Sequence, residues 1–179
     1  MSNMENERPF TGHGWVALLL FAALLLEGAV AQWLGQWLMQ PTFMATPQLT
    51  LMLLIMLAIF VPAERYLIYF AVVAGLLFDS FYTGMLGINT LLWPLVVFLA
   101  DQLRPYIPRT PLYLGVTQII FLTAYAACDY LLNRFTGYGA VGWTNLITVH
   151  LAPGLLVNIG LFAICYLPLR RLLINLNQR

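Results

Sequence analysis

Three carboxylates stand inside long apolar stretches of this sequence, namely Glu27, Asp79 and Asp129. An ionised side chain near the centre of a bilayer costs about 2.5–3.5 kcal/mol on insertion scales, so each of them must face protein or water. Carboxylates in such places cap helices, form ion pairs or line cavities. They are therefore the first candidates for functional residues.

Catalysis would require these acids to meet other reactive groups at a suitable spacing. No cluster of His, Cys and carboxylate residues has metal-ligand spacing, and no Gly-rich phosphate loop occurs. No Ser or Cys lies near a His in a way that suggests a nucleophile. His13 is expected at the interface before the first helix, and His150 is expected to be a packing residue. We therefore predict a protein that is not an enzyme and uses no cofactor or metal.

The residues around Asp79 allow two roles for its carboxylate. In the structural role, Asp79 and Ser80 cap the helix that follows. Gly84 and Gly87 then provide a turn geometry that other residues resist. In the second role, Asp79 forms an ion pair or contacts a loop of a partner protein.

Two small residues precede Asp79 at helical spacing. Ala71 and Gly75 lie eight and four residues before it and form a small-x-x-x-small face. Such a face lets another helix approach closely. The sequence predicts that Ala71 and Gly75 pack against a helix, and it leaves open whether that helix belongs to this chain or to a partner.

The other two carboxylates also have alternative interpretations. Glu27 is either hydrogen-bonded inside the protein, or it lines a cavity or meets a partner helix. Asp129 and Asn133 are four residues apart and are expected to share a helix face. Arg134 follows, and an ion pair with Asp79 or Asp129 would explain its position.

Composition determines the broad class of protein. Hydrophobic residues make up 61% of the chain and charged residues 8%, against roughly 25% charged residues in soluble domains. One core in 179 residues could not hide so much apolar surface, so the bilayer must be the solvent for most of it. A net charge of +1 gives no support for a nucleic-acid partner.

Hydropathy predicts an all-α integral membrane protein with six helices. The apolar runs cover residues 15–39, 49–61, 66–78, 86–100, 112–132 and 145–168. The second and third are too short for an ordinary span of about 20 residues. They are separated by residues 61–65, which contain Pro62, Glu64 and Arg65. A turn is expected there, because one continuous helix would place Glu64 and Arg65 near the bilayer centre.

The arginines favour the same six-span topology. With the N-terminus in the cytoplasm, the positions on the cytoplasmic side are Arg8, Arg65, Arg104, Arg109, Arg170, Arg171 and Arg179. Only Arg134 falls outside, which is the sorting expected from the positive-inside rule. The best five-span alternative leaves Arg65 inside the membrane. We predict a polar tail over 1–14, one membrane domain over 15–168 and a basic tail over 169–179, with both tails cytoplasmic.

The segment 75–92, with the sequence GLLFDSFYTGMLGINTLL, resembles the central signature of the MreD family. These are small integral membrane proteins of the bacterial cell-shape system. The residues that carry the resemblance are Gly75, Asp79, Gly84, Leu86 and Gly87.

The resemblance implies a non-catalytic scaffold in the bacterial cytoplasmic membrane. Its partner would be an MreC-like membrane protein. It would act indirectly with the MreB-like filament and with the glycosyltransferase–transpeptidase pair that builds lateral peptidoglycan. The face formed by Ala71 and Gly75 would then hold a helix of the partner. MreD-like proteins are thought to share the fold of the substrate-binding components of energy-coupling-factor transporters.

Such a vitamin-binding transport component is the alternative function. These components often carry an Ala-x-x-x-Ala pattern in the first helix, and no two alanines of the first run fall four apart here. Its outer loops would close a small pocket with Trp33, Trp37 and Trp143, although tryptophans at those places are more often interfacial. A membrane enzyme acting on lipid or isoprenoid is a third possibility that would need paired carboxylates.

Overall fold

A computed structural model describes residues 11–40, 43–135 and 146–177 of the chain. Within these ranges the protein is almost entirely helical. The α-helices are α1 (His13–Leu38), α2 (Leu49–Phe60), α3 (Leu67–Phe78), α4 (Ile88–Leu103), α5 (Pro111–Phe135) and α6 (Ala152–Asn177). Three helical segments are long and apolar enough to cross a membrane: His13–Trp37, Pro111–Phe135 and Ile147–Asn177.

Short irregular elements join these helices. A two-residue antiparallel ladder between β1 (Met39–Gln40) and β2 (Phe43–Met44) follows α1. A π-helical turn, Asp79–Thr83, extends α3, and a second one, Leu146–Leu151, precedes α6. A 3₁₀ turn, Arg104–Tyr106, follows α4. Since α6 continues to Asn177, the segment predicted as a tail from residue 169 is helical over its described part.

Helix α2 forms the centre of the fold. Every residue from Thr50 to Phe60 is buried. This helix is apolar on all sides, as the sequence TLMLLIMLAIF requires of a helix surrounded by others. Its length of 12 residues is about 18 Å. Longer helices, α1, α4 and α6, therefore surround this short one.

The predicted turn after α2 is present, and its acidic residue is buried. Helix α2 ends at Phe60 and α3 begins at Leu67. The side chain of Glu64 is buried, and its Oε2 lies 2.7 Å from Nδ1 of His13. The other oxygen accepts a hydrogen bond from the backbone N–H of Tyr66 at 2.9 Å. Pairing with His13 and Tyr66, rather than water, therefore compensates for the burial of Glu64.

The contact of His13 with Glu64 defines one end of the bundle. It places the start of α1 beside the α2–α3 turn. The C-terminal part of α6 lies at the same end, where Leu172 and Leu176 line a small cavity together with Trp15. We call this the N-terminal end. The turn at Asp79 and the segment that leads into α2 lie at the opposite end.

Candidate functional site

Asp79 binds the N-terminus of α4 from the end of α3. Its Oδ2 accepts hydrogen bonds from the N–H groups of Gly87 at 2.9 Å and Thr90 at 3.1 Å, and from the Thr90 hydroxyl at 2.9 Å. Its Oδ1 accepts from the N–H and the side-chain amide of Asn89 at 3.2 and 2.7 Å. The carboxylate is fully buried. It supplies acceptors for amides that have no partner within the first turn of α4, and it lies at the positive end of the helix dipole.

Two glycines make this capping turn possible. Gly84 has φ +68° and Gly87 has φ +114°, and both values lie in the left-handed region that other residues rarely adopt. The N–H of Gly84 donates to the carbonyl of Asp79 at 2.9 Å, which closes the π-helical turn. The chain then reverses at Gly87 and brings α4 back onto the Asp79 carboxylate. Ser80 takes no part in this cap, because its hydroxyl donates to the Leu76 carbonyl instead.

The small face of α3 packs against α4 of the same chain. Ala71 is fully buried. A Cβ atom built on Gly75 would lie 2.6 Å from the carbonyl oxygen of Asn89 and 2.8 Å from Cα of Thr90. The absence of a side chain at Gly75 therefore permits a close backbone approach. The structure assigns this face to packing within the protein, so the interpretation that it holds a partner helix is not supported.

Glu27 binds the N-terminus of a second helix. Its side chain is buried, and Oε2 accepts a hydrogen bond from the N–H of Thr50 at 2.8 Å, in the first turn of α2. Two carboxylates therefore cap two different helices from elements earlier in the chain. The other oxygen of Glu27 is also buried, and it has no hydrogen-bond partner among the described residues.

A buried hydrogen-bonded chain links the Asp79 cap to α5. The hydroxyl of Tyr125 donates to Oδ1 of Asn89 at 2.5 Å, and Nδ2 of Asn89 donates to Asp79. Sequence reasoning missed both Asn89 and Tyr125. The signal available was the position of Asn89, two residues after Gly87 and so in the first turn of the next helix.

Another amide holds the segment that leads into α2. Asn158 on α6 accepts from the N–H of Gln48 at 2.8 Å and donates to the carbonyls of Thr46 and Gly154 at 3.0 and 2.9 Å. On α5, Nε2 of Gln118 donates to the Met52 carbonyl at 3.1 Å. These bonds connect α2 to α5 and α6, and they satisfy backbone groups that lipid could not satisfy.

Two cavities lie next to the N-terminus of α2. The first has a volume of about 440 Å³ and is lined by residues of α5, α6 and the segment before α2. The second, of about 340 Å³, is lined by α1, the Asp79 turn, the start of α4 and α5. They adjoin, because both are lined by Thr46, Gln48, Tyr125, Asp129 and Asn133. Their volumes lie within the range of small-molecule sites.

The remaining predicted residues fall into separate places. Asp129 and Asn133 share a face of α5, as expected, and both line the two cavities. Arg134 donates to the Tyr130 hydroxyl at 3.2 Å and is not among the groups around Asp79. Leu86 is 69% exposed in the turn before α4.

Two of the three tryptophans named for the transport alternative lie away from the cavities. Trp33 and Trp37 are exposed, and neither lines the two cavities. Trp143 lies outside the described residues, and so does the side chain of His150.

This arrangement defines a helical membrane protein in which two buried carboxylates cap helices and one of them, Glu27, also lines a cavity. The chain belongs to the MreD family, because the family model for the rod shape-determining protein MreD matches residues 13–176, nearly its whole length. Neither the curated proteins nor the solved structures include a significant match to this chain. The predicted family is thus confirmed, and membership implies a role in determining rod shape.

Proposed function

We propose that this protein is a non-catalytic scaffold of the bacterial cell-shape machinery. It would bind an MreC-like membrane protein in the cytoplasmic membrane and support lateral peptidoglycan synthesis. The observation that carries this proposal is the family match over residues 13–176. The roles of the buried polar residues agree with it, since Asp79, Asn89 and Asn158 are engaged in holding helices together.

The proposal includes six membrane spans with both termini in the cytoplasm. Contact between His13 and Glu64 supports it, because it places the α2–α3 turn at the same end as the start of α1. Helices α2 and α3 then form a hairpin within the bundle. Arg65 lies next to this contact, at the N-terminal end. The described arginine at the opposite end is Arg134, near the end of α5, so the sorting follows the positive-inside rule.

Cysteine labelling tests this topology. In a background with both native cysteines replaced by Ala, an impermeant maleimide added to intact spheroplasts that lack the MreC-like partner should label Leu86→Cys. It should label Tyr106→Cys only after the membrane is permeabilised. Both positions are well exposed, at 69% and 82%, so access to the reagent depends on the side of the membrane. Labelling of both positions in intact spheroplasts would contradict the six-span topology.

The turn after α3 is the proposed contact for the MreC-like partner. Phe81 and Leu86 are 74% and 69% exposed, although both are large and apolar. They flank the left-handed Gly84 in a turn that Asp79 anchors to α4. Exposed apolar groups on a rigid turn suit recognition, because little conformational entropy is lost on binding.

Affinity purification from bacterial membranes in mild detergent tests the scaffold. The wild-type protein should retain an MreC-like protein, identified by mass spectrometry. The double variant Phe81→Ala/Leu86→Ala should retain roughly ten-fold less, which corresponds to about 1.4 kcal/mol of binding free energy. The control is Phe98→Ala/Leu99→Ala, which removes the same two residue types from α4, where they are 47% and 42% exposed, and it should retain the partner.

Three outcomes would contradict the proposal. Retention of the partner by the Phe81/Leu86 variant would exclude the turn as the contact. Absence of any cell-shape protein from the wild-type sample would reject the scaffold. Recovery of an ATPase pair with a transmembrane coupling subunit would instead identify a vitamin-transport component.

A further inference from the structure

The two adjoining cavities have lining groups that the scaffold role does not use. Oε1 of Glu27 is buried without a hydrogen-bond partner among the described residues, and Glu27 lines the second cavity. Gln48 lines both cavities, and its Oε1 is also buried without a hydrogen-bond partner among the described residues. A buried acceptor without a donor costs about 1–3 kcal/mol, and more when the group is charged. Both atoms therefore favour a ligand that brings hydrogen-bond donors.

The charges that line the cavities favour a cation. Asp129 lines both cavities and Glu27 lines the second, while no Lys, Arg or His occurs among their described lining residues. The N-terminus of α2 offsets only about half a charge of Glu27. The N-terminus of α4 is already occupied by Asp79, which does not line either cavity. A bound cation would favour the ionised form of both lining carboxylates, because it supplies the opposite charge.

Apolar side chains form much of the remaining lining, beside neutral polar groups such as Asn133 and Thr46. The apolar lining of the first cavity includes Leu122, Ala126, Leu151 and Leu155. The apolar lining of the second cavity includes Phe78, Met85 and Ile88. A small molecule that fits both sets of groups has a positively charged head and an apolar body. Residues of α1, α5 and α6 line this space beside the N-terminus of α2.

We propose that the two cavities form one binding site for a small amphiphilic amine, with its ammonium group held between Asp129 and Glu27. The amide oxygen of Gln48 accepts one of its N–H donors. This site goes beyond the scaffold function, because the contact with an MreC-like protein is assigned to the exposed turn at Phe81 and Leu86. Loss of one function therefore need not remove the other.

Charged thiol reagents test the site on the full-length protein in lipid nanodiscs. Both native cysteines are replaced by Ala, and Ala126→Cys introduces a thiol into the first cavity, one helical turn before Asp129. Its rate of modification is measured with 2-(trimethylammonium)ethyl methanethiosulfonate and with the anionic 2-sulfonatoethyl reagent. Leu86→Cys, on the exposed turn, is the matched control.

At the cavity position, the ratio of cationic to anionic rates should exceed the ratio at the control position by about ten-fold or more, because a cleft lined by one sign of charge concentrates counter-ions. Asp129→Asn and Glu27→Gln should each lower this ratio, and their combination should bring it to the control value. Two isosteric variants are used so that misfolding of one does not decide the result. An unreactive cavity thiol, or a ratio that both substitutions leave unchanged, would overturn the proposal.

Discussion

Replacing Asp79 with alanine is expected to lower the free energy of unfolding by about 3–5 kcal/mol. The change removes every acceptor that satisfies the N–H groups of Gly87, Asn89 and Thr90. Hydrogen bonds to a charged group contribute about 1.5–3 kcal/mol each, and buried donors left without partners add a further penalty. The contributions of such a network are not additive, so the expected loss is smaller than their sum.

Unfolding of the purified protein in detergent, followed by circular dichroism, measures this loss. The free energy of unfolding of Asp79→Asn should lie between those of the wild type and Asp79→Ala, because asparagine keeps one of the two acceptor oxygens. The control is Asp101→Ala at the other end of α4. Asp101 forms an exposed ion pair with Arg104 at 3.0 Å, and such pairs contribute about 0–1 kcal/mol. Equal losses for Asp79→Ala and Asp101→Ala would show that Asp79 is not a structural cap.

The second large effect is expected for Gly75→Ala, at about 3 kcal/mol of destabilisation. The new Cβ would lie 2.6–2.8 Å from backbone atoms of Asn89 and Thr90. Overpacking costs typically 1–3 kcal/mol, and the upper end applies because backbone cannot rotate away as a side chain can. The separation of α3 and α4 would also displace the amides that Asp79 binds.

Gly160→Ala is the matched control for Gly75→Ala. Gly160 also lies within a helix, and nothing is within 4 Å of a Cβ atom built on it. Alanine at that position should leave stability unchanged or raise it by about 0.5–1 kcal/mol, because glycine is a weak helix former. The test is to measure the melting temperature and the membrane expression level of each of the two variants. A Gly75→Ala variant as stable as the wild type would contradict the inference that the backbones of α3 and α4 are in close contact at this position.

The sequence by itself determined the class of the protein, most of its helix positions and the need for glycine in its central turn. Apolar runs and the break at residues 61–65 are local features, so hydropathy located α2 and α3 to within one or two residues. The requirement for Gly84 and Gly87 is also local, because positive φ depends on the side chain of the residue itself. The family followed from the same short segment.

Only the tertiary structure decided which groups each polar residue meets. Glu27 caps a helix that begins 22 residues later, Tyr125 reaches Asn89 from another helix, and Glu64 is buried against His13. These pairs are far apart in sequence, and no periodicity indicates them. The physical reason is that a buried polar group binds whichever donor or acceptor the packed helices bring to it. Packing around the central α2 therefore decided the caps, the buried network and the cavities.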